Sequence, residues 1–118
     1  MKEANENTLI VAQIETQEAI ENVDAILSVK GIDVGLIGPN DLSISLGVPD
    51  QMSSEILNQA IGKAVESAKR HGKASGIHIG NMEVIKKWRA KGMTVLAYST
   101  DISFMYNASK SSLEELKR

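Results

Sequence analysis

Four short apolar runs punctuate the chain, at residues 9–14, 32–37, 74–79 and 93–98. They read LIVAQI, IDVGLI, ASGIHI and MTVLAY, and each is bounded by Gly, Pro, Asn, Asp or Thr. Runs of this length with such flanks predict buried strands. Between them apolar residues recur every three or four positions, the period of a helix face. Ile20, Val23 and Ile26/Leu27 form one stripe behind Thr16, a helix N-cap by residue type. Ile56/Leu57, Ala60/Ile61, Ala64/Val65 and Ala68 form a longer stripe behind Ser53 or Ser54. Met82, Ile85 and Trp88 form a third behind Asn81, which predicts a core position for Trp88. A last helix is expected from about Ile102 to Leu116 behind Asp101, with a break around Asn107 to Ser112, where Asn and Ser weaken helix propensity.

The predicted helix stops share one chemistry. Lys30-Gly31, His71-Gly72 and Lys91-Gly92 each place Gly after the last apolar position and a basic or imidazole side chain before it. Gly adopts the left-handed conformation that ends a helix, and positive charge suits the helix C-terminus.

Strand and helix in alternation imply parallel strands joined by right-handed crossovers. Two α/β architectures satisfy that pattern. One is half of a (β/α)8 barrel, four strand–helix units of the eight that take roughly 250 residues. The alternative is a small doubly wound parallel sheet with helices on both faces. At 118 residues the chain is one domain at most.

Composition narrows the function classes. Thirteen Lys and Arg against fifteen Asp and Glu leave a net charge of -2, which gives no electrostatic grip on nucleic acid or an anionic membrane. No apolar run approaches the ~20 residues of a membrane span. Zero cysteines remove disulfide, zinc-finger and thiol chemistry, and a cytoplasmic location is the default expectation. Serine hydrolase, P-loop and dinucleotide motifs are absent from the sequence.

Both architectures put functional groups at the C-terminal ends of strands, so the residues there carry the chemistry. The first run ends in Gln13-Ile-Glu15-Thr16, with Gln13 and Glu15 on one face by period two. The second ends in Gly38-Pro39-Asn40-Asp41-Leu42. Carboxylates at the tips of neighbouring parallel strands, about 4.8 Å apart, can reach one hard divalent cation such as Mg²⁺ or Mn²⁺. Structural roles account for the same residues: Glu15 as a first-turn carboxylate, and Asp41 as N-cap of a turn from Leu42 to Leu46. Spacing alone leaves both readings open. His78 falls opposite Ile77 and Ile79, toward a barrel interior, although a lone histidine is more often a satisfied rim or core residue. His71 reads as charge compensation at a helix end. Ser99-Thr100-Asp101 reads as a pocket or, more cheaply, as a helix cap.

The strings themselves point further. Val11-Ala-Gln-Ile-Glu-Thr16, Asp24-Ala-Ile-Leu27, Lys30-Gly-Ile-Asp33 and Gly38-Pro-Asn-Asp-Leu-Ser43 with Gly47 resemble the HpcH/HpaI aldolase family, as do Gly72-Lys-Ala-Ser-Gly-Ile77 and the Lys91-Gly92 strand entry. The resemblance covers essentially the whole chain, 1–118, and is to the second half of the family's (β/α)8 barrel, strands five to eight. It implies a metal-dependent class II aldolase, a carbon–carbon lyase that cleaves 4-hydroxy-2-oxo acids or 2-keto-3-deoxy sugar acids to pyruvate and an aldehyde. It implies Glu15 and Asp41 as metal ligands for Mg²⁺ or Mn²⁺. It also implies that Gln13 lines the site and that the backbone of Gly38, Pro39, Asn40 and Asp41 receives the pyruvate carboxylate. The bound metal would act as a Lewis acid on the enolate.

The family's catalytic Arg and His–Asp pair come from the first half of the barrel, so no acid–base residue is assigned here. Residues 1–8 resemble the family's own lead-in to strand five, which predicts a chain that begins mid-fold. The isolated chain is accordingly expected to be inactive or nearly so, and to form a homo-oligomer through its uncovered inner face and strand edges, with the segment from Ile102 onward docked on another subunit. The alternative function is a non-catalytic half-barrel module that binds a small anion or a partner subunit.

Overall fold

The computed structural model of the chain describes residue 3 and residues 6–118. The expectation for the lead-in segment falls partly on residues 1, 2, 4 and 5, which lie outside the described residues.

The four apolar runs form the strands β1 (Val11–Ile14), β2 (Val34–Ile37), β3 (Ala74–Ile79) and β4 (Val95–Tyr98). They make one sheet in the order β1-β2-β3-β4, with every neighbouring pair parallel. β1, β2 and β4 start two residues inside their apolar runs. At the first of these, Ile10 is held by Asp33, whose carboxylate accepts from the Ile10 amide at 2.8 Å.

The register puts Ile14, Ile37, Ile77 and Leu96 in one row across the sheet, and Gln13, Leu36, Gly76 and Val95 in the next. The first row is the floor of the core: Ile14, Ile37 and Ile77 are at most 1% exposed and cluster with Leu27, Leu57, Ile61 and Trp88 from the helices. On the other face Val11 and Gln13 are exposed. Helices therefore cover one face only, which selects the half-barrel over the doubly wound sheet.

Those helices are α1 (Gln17–Glu21), α2 (Val23–Ser28), α3 (Pro39–Ser45), α4 (Glu55–Arg70), α5 (Met82–Ala90) and α6 (Asp101–Leu116). α4 is the central one. Its buried stripe of Leu57, Ala60, Ile61, Ala64, Val65 and Ala68 packs on β2, β3, α2 and α3. Burying Leu57 and Ile61 contributes about 2 kcal/mol each relative to exposure. Trp88 of α5 lies in the core as its stripe predicts, with the Lys91 ammonium 4.9 Å from its ring centre.

Side-chain caps account for half of the helix starts among the described residues. Thr16 accepts from the Ala19 amide, and Asn81 accepts from those of Glu83 and Val84. Ser54 occupies the N-cap of α4 without a side-chain bond. Gly72 and Gly92, at φ 63° and 104°, end α4 and α5 in the conformation that glycine favours. The expected stop at Lys30-Gly31 differs: α2 ends at Ser28 on an extended Val29, and Gly31 at φ 101° belongs to the turn that follows.

Four other details differ from the sequence pattern. The first helical stripe is split at Asn22, whose side-chain amide donates to the Glu18 carbonyl and competes with the regular ladder. The Asp41 turn is a full helix that starts earlier: Gly38 is its N-cap, Pro39 its first residue and Asp41 a first-turn carboxylate rather than the cap. Thr100, not Asp101, caps α6 by accepting from the Ser103 amide. α6 also runs unbroken through 107–112. There Ser112 donates back to the Ala108 carbonyl, and propensity penalties of a few tenths of a kcal/mol per residue do not break the helix.

α6 contributes no buried residue. It projects from the sheet, giving principal extents of 56 × 41 × 24 Å, and touches it where Phe104 meets Tyr98 edge-on at 5.6 Å. Among the described residues no helix is long and apolar enough to cross a membrane.

Candidate functional site

The C-terminal rim of β1 and β2 brings three of the expected site residues into contact. Gln13 lies on the uncovered face, and Glu15, one residue past the end of β1, is half-buried. The side-chain amide of Gln13 donates to Oε2 of Glu15 and so orients the carboxylate. Gly38 follows β2 directly, and its amide donates to the Ile14 carbonyl at 3.3 Å. A methyl group on Gly38 would lie 3.3 Å from Nε2 of Gln13 and closer still to Glu15. The absence of a side chain at Gly38 is what lets the second strand close against this pair.

α3 supplies the rest. Pro39 is buried and fixes the first helical φ, while Asn40 and Asp41 are exposed in the first turn. Leu42 and Ser43 are fully buried and pin the turn to the core, with the Ser43 hydroxyl donating to the Asn40 carbonyl. Asp41 thus stands on a short, anchored helix that follows the strand next to that of Glu15. The tips of β1 and α3 are also tied directly, because the Gln17 amide donates to the Ser45 hydroxyl at 2.9 Å. Sequence reasoning did not find that tie. A serine two positions past Ser43 carries no signal for a contact 28 residues away.

The donor set is oxygen-rich and anionic, which suits a hard divalent cation. Among the described residues no three or more His, Cys, Asp or Glu gather as a metal cluster. Glu15 and Asp41 are the two carboxylates of the rim, and a six-coordinate cation held by such a pair would take its other ligands from water or substrate oxygens.

His78 is exposed on the inner face and its Nε2 lies 3.1 Å from the Ser99 carbonyl. His71, read from sequence as compensating a helix end, also faces Asp24 of α2 at 3.3 Å. Among the described residues the Asp24 carboxyl is strongly perturbed. The Ser67 hydroxyl and the Arg70 guanidinium hold its carboxyl down from 3.8 to about 2. This cluster ties α2 to α4 on the outside of the molecule and is structural.

A cavity of about 310 Å³ lies at the opposite end of the sheet, beside the start of β3, with Lys69, Lys73 and Lys91 in its lining. It opens between the C-terminal ends of α4 and α5, where lysines offset helix dipoles, and it is remote from the carboxylates.

The chain resembles known proteins along nearly its whole length. A profile of the HpcH/HpaI aldolase/citrate lyase family matches residues 1–108. A 2-keto-3-deoxy-L-rhamnonate aldolase of Salmonella paratyphi B is 36% identical over 117 residues, 99% of this chain and 44% of the relative. A 4-hydroxy-2-oxo-heptane-1,7-dioate aldolase of Escherichia coli is 33% identical over 110 residues, 93% of this chain and 42% of the relative. The crystal structure of an HpcH/HpaI aldolase/citrate lyase family protein from Burkholderia cenocepacia superposes with a TM-score of 0.93 at 26% identity, covering 99% of this chain and 46% of that one. The chain thus spans less than half the length of these relatives. With the profile covering nearly all of it and the four-stranded half-barrel in place, the chain belongs to the HpcH/HpaI aldolase/citrate lyase family.

Proposed function

We propose that this chain supplies the cation-binding and pyruvate-holding side of a class II aldolase. The enzyme would make or cleave the C–C bond of 4-hydroxy-2-oxo acids or 2-keto-3-deoxy sugar acids, with pyruvate and an aldehyde as the partners. The observation that carries this reading is the contact set of Gln13, Glu15 and Gly38 at the rim of two adjacent parallel strands.

In this reading Glu15 and Asp41 hold a divalent cation, Mg²⁺ or Mn²⁺. When bound, such an ion supplies Lewis acidity toward a 2-oxo group. Gln13 keeps the Glu15 carboxylate in one orientation, as outer-shell donors do at metal sites. The first-turn amides of Asn40 and Asp41 receive the pyruvate carboxylate on the turn that Gly38 and Pro39 shape, because Pro39 has no N–H and the Gly38 amide donates to Ile14; the small Gly38 leaves room for it.

Residues 1–118 are then the second half of one barrel domain. The general acid–base groups that the family resemblance assigns to the first half are not among this chain's residues. The chain by itself turns over little or no substrate and self-associates through its inner face, its β1 and β4 edges and α6. A cytoplasmic location belongs to the same reading and is carried by the family rather than by geometry.

The test is Mn²⁺ binding by the 118-residue chain, followed by water-proton relaxation with and without pyruvate. Glu15→Gln and Asp41→Asn should each weaken binding by on the order of tenfold or more. Unchanged Mn²⁺ affinity in both variants would leave the non-catalytic module as the better account.

A further inference from the structure

We propose that His78 is a specificity-determining residue that recognises a hydroxyl group on the part of the 2-oxo acid beyond its pyruvyl end. The inference rests on the aldolase reading above. Ile77 and Ile79 are buried beneath the helices, so strand alternation turns His78 to the uncovered face, where it is exposed. Its register partner on β4 is Ala97. Extending the β1, β2 and β3 registers one residue past Ile14, Ile37 and Ile77 puts Glu15, Gly38 and His78 in one layer. Two strand spacings separate β1 from β3, roughly 9–10 Å. That is too far for His78 to share an ion with Glu15. It is within the span of a sugar acid whose carboxylate end is held at β1 and β2.

The ring is already oriented for this role. A carbonyl oxygen only accepts, so the 3.1 Å contact with Ser99 puts the proton on Nε2 and makes Nδ1 of the neutral ring an acceptor. Ser99 has φ 60°, a left-handed conformation that is unfavourable for a non-glycine residue and persists only where its surroundings hold it. A strained bend at the tip of β4 and an exposed imidazole thus fix one another on the inner face. A substrate hydroxyl can donate to Nδ1. A hydrogen in its place displaces the water on that exposed acceptor without replacing its bond, which is how a polar site disfavours a deoxy analogue.

The test measures binding by the full 118-residue chain with Mg²⁺, read as Kd and through the ring nitrogens of ¹⁵N-labelled His78. Two ligands are compared: a 2-keto-3-deoxy sugar acid and the straight-chain 2-oxo acid of equal carbon number without hydroxyls. The hydroxylated acid should bind about fivefold to tenfold more tightly, the worth of one hydrogen bond, and should shift the His78 ring signals. His78→Leu removes both ring nitrogens, so it should keep the affinity for the plain acid and lose the preference. His78→Gln offers an amide N–H to Ser99 and a carbonyl oxygen as acceptor, so it should restore part of the preference. Equal affinities in the wild type, or an undiminished preference in His78→Leu, overturns the assignment of His78 alone. Binding of neither acid overturns the aldolase reading and this inference with it.

Discussion

A methyl group on Gly38 would stand 2.9 Å from Oε2 of Glu15 and 3.2 Å from its Cβ. Glycine is required there by contact and not by dihedral angle, because Gly38 sits at φ -97°. Gly38→Ala should therefore fold, with stability within about 1 kcal/mol of wild type, since the carboxylate is the free end of a flexible side chain. It should also push Glu15 out of place and lower divalent-cation affinity by on the order of tenfold. Thermal unfolding beside a Mn²⁺ titration checks both, and an unchanged affinity would dissociate Gly38 from the carboxylate site.

Gly76 and Gly62 form a contrasting pair. A Cβ at Gly76 would overlap the Val95 carbonyl oxygen, and that oxygen is backbone, so β3 and β4 would have to separate. Gly76→Ala should destabilise by about 3 kcal/mol. Gly62 lies inside α4, and a Cβ added there would meet nothing within 4 Å. Gly62→Ala should stabilise by about 0.5–1 kcal/mol through helix propensity and unfolded-state entropy. Denaturant midpoints of the two variants should move in opposite directions.

Asp24 makes stability depend on acid pH. Its carboxylate accepts from the Ser67 hydroxyl at 2.7 Å and from Arg70 at 2.6 and 2.8 Å, which lowers its pKa from 3.8 to about 2. A depressed carboxyl binds fewer protons in the folded state than in the unfolded one. Its contribution is fully present above pH 3.8 and is lost as pH falls through about 2. Asp24→Asn should flatten the stability–pH curve across that window and lower stability at neutral pH. An identical slope in the variant would show that the α2–α4 tie carries no linkage.

Self-association follows from what the half-barrel leaves open. Leu9 is 66% exposed and Val11 41%, at the β1 edge, and Ile102, Met105 and Leu116 of α6 are exposed as well. Apolar surface of this kind beside two unpaired strand edges marks an interface. Sedimentation of the purified chain should give a dimer or larger species, and Val11→Lys should shift it toward monomer. A compact wild-type monomer that releases pyruvate from a 2-oxo acid would refute both the self-association and the expected inactivity.

The apolar pattern alone located all four strands to within two residues and the buried faces of α4 and α5. Strand and helix periods are local, and Ile77, Ile61 and Trp88 are buried where that periodicity puts them. The motif strings likewise single out Gln13, Glu15 and Gly38 without any geometry. What periodicity could not decide was which face of the sheet the helices cover, since a crossover of either fold reads alike along the chain. Packing decided it: Ile14, Ile37, Ile77 and Leu96 share one row, and helices on one face bury the first three and half-bury Leu96. The Asp24–Ser67–Arg70 tie, the Gln17–Ser45 tie and the His78–Ser99 contact were invisible for a related reason. Each joins residues 21 to 46 positions apart, and polar side chains carry no period that announces a partner. Only the folded backbone, by setting parallel strands side by side, brings such groups within hydrogen-bond reach.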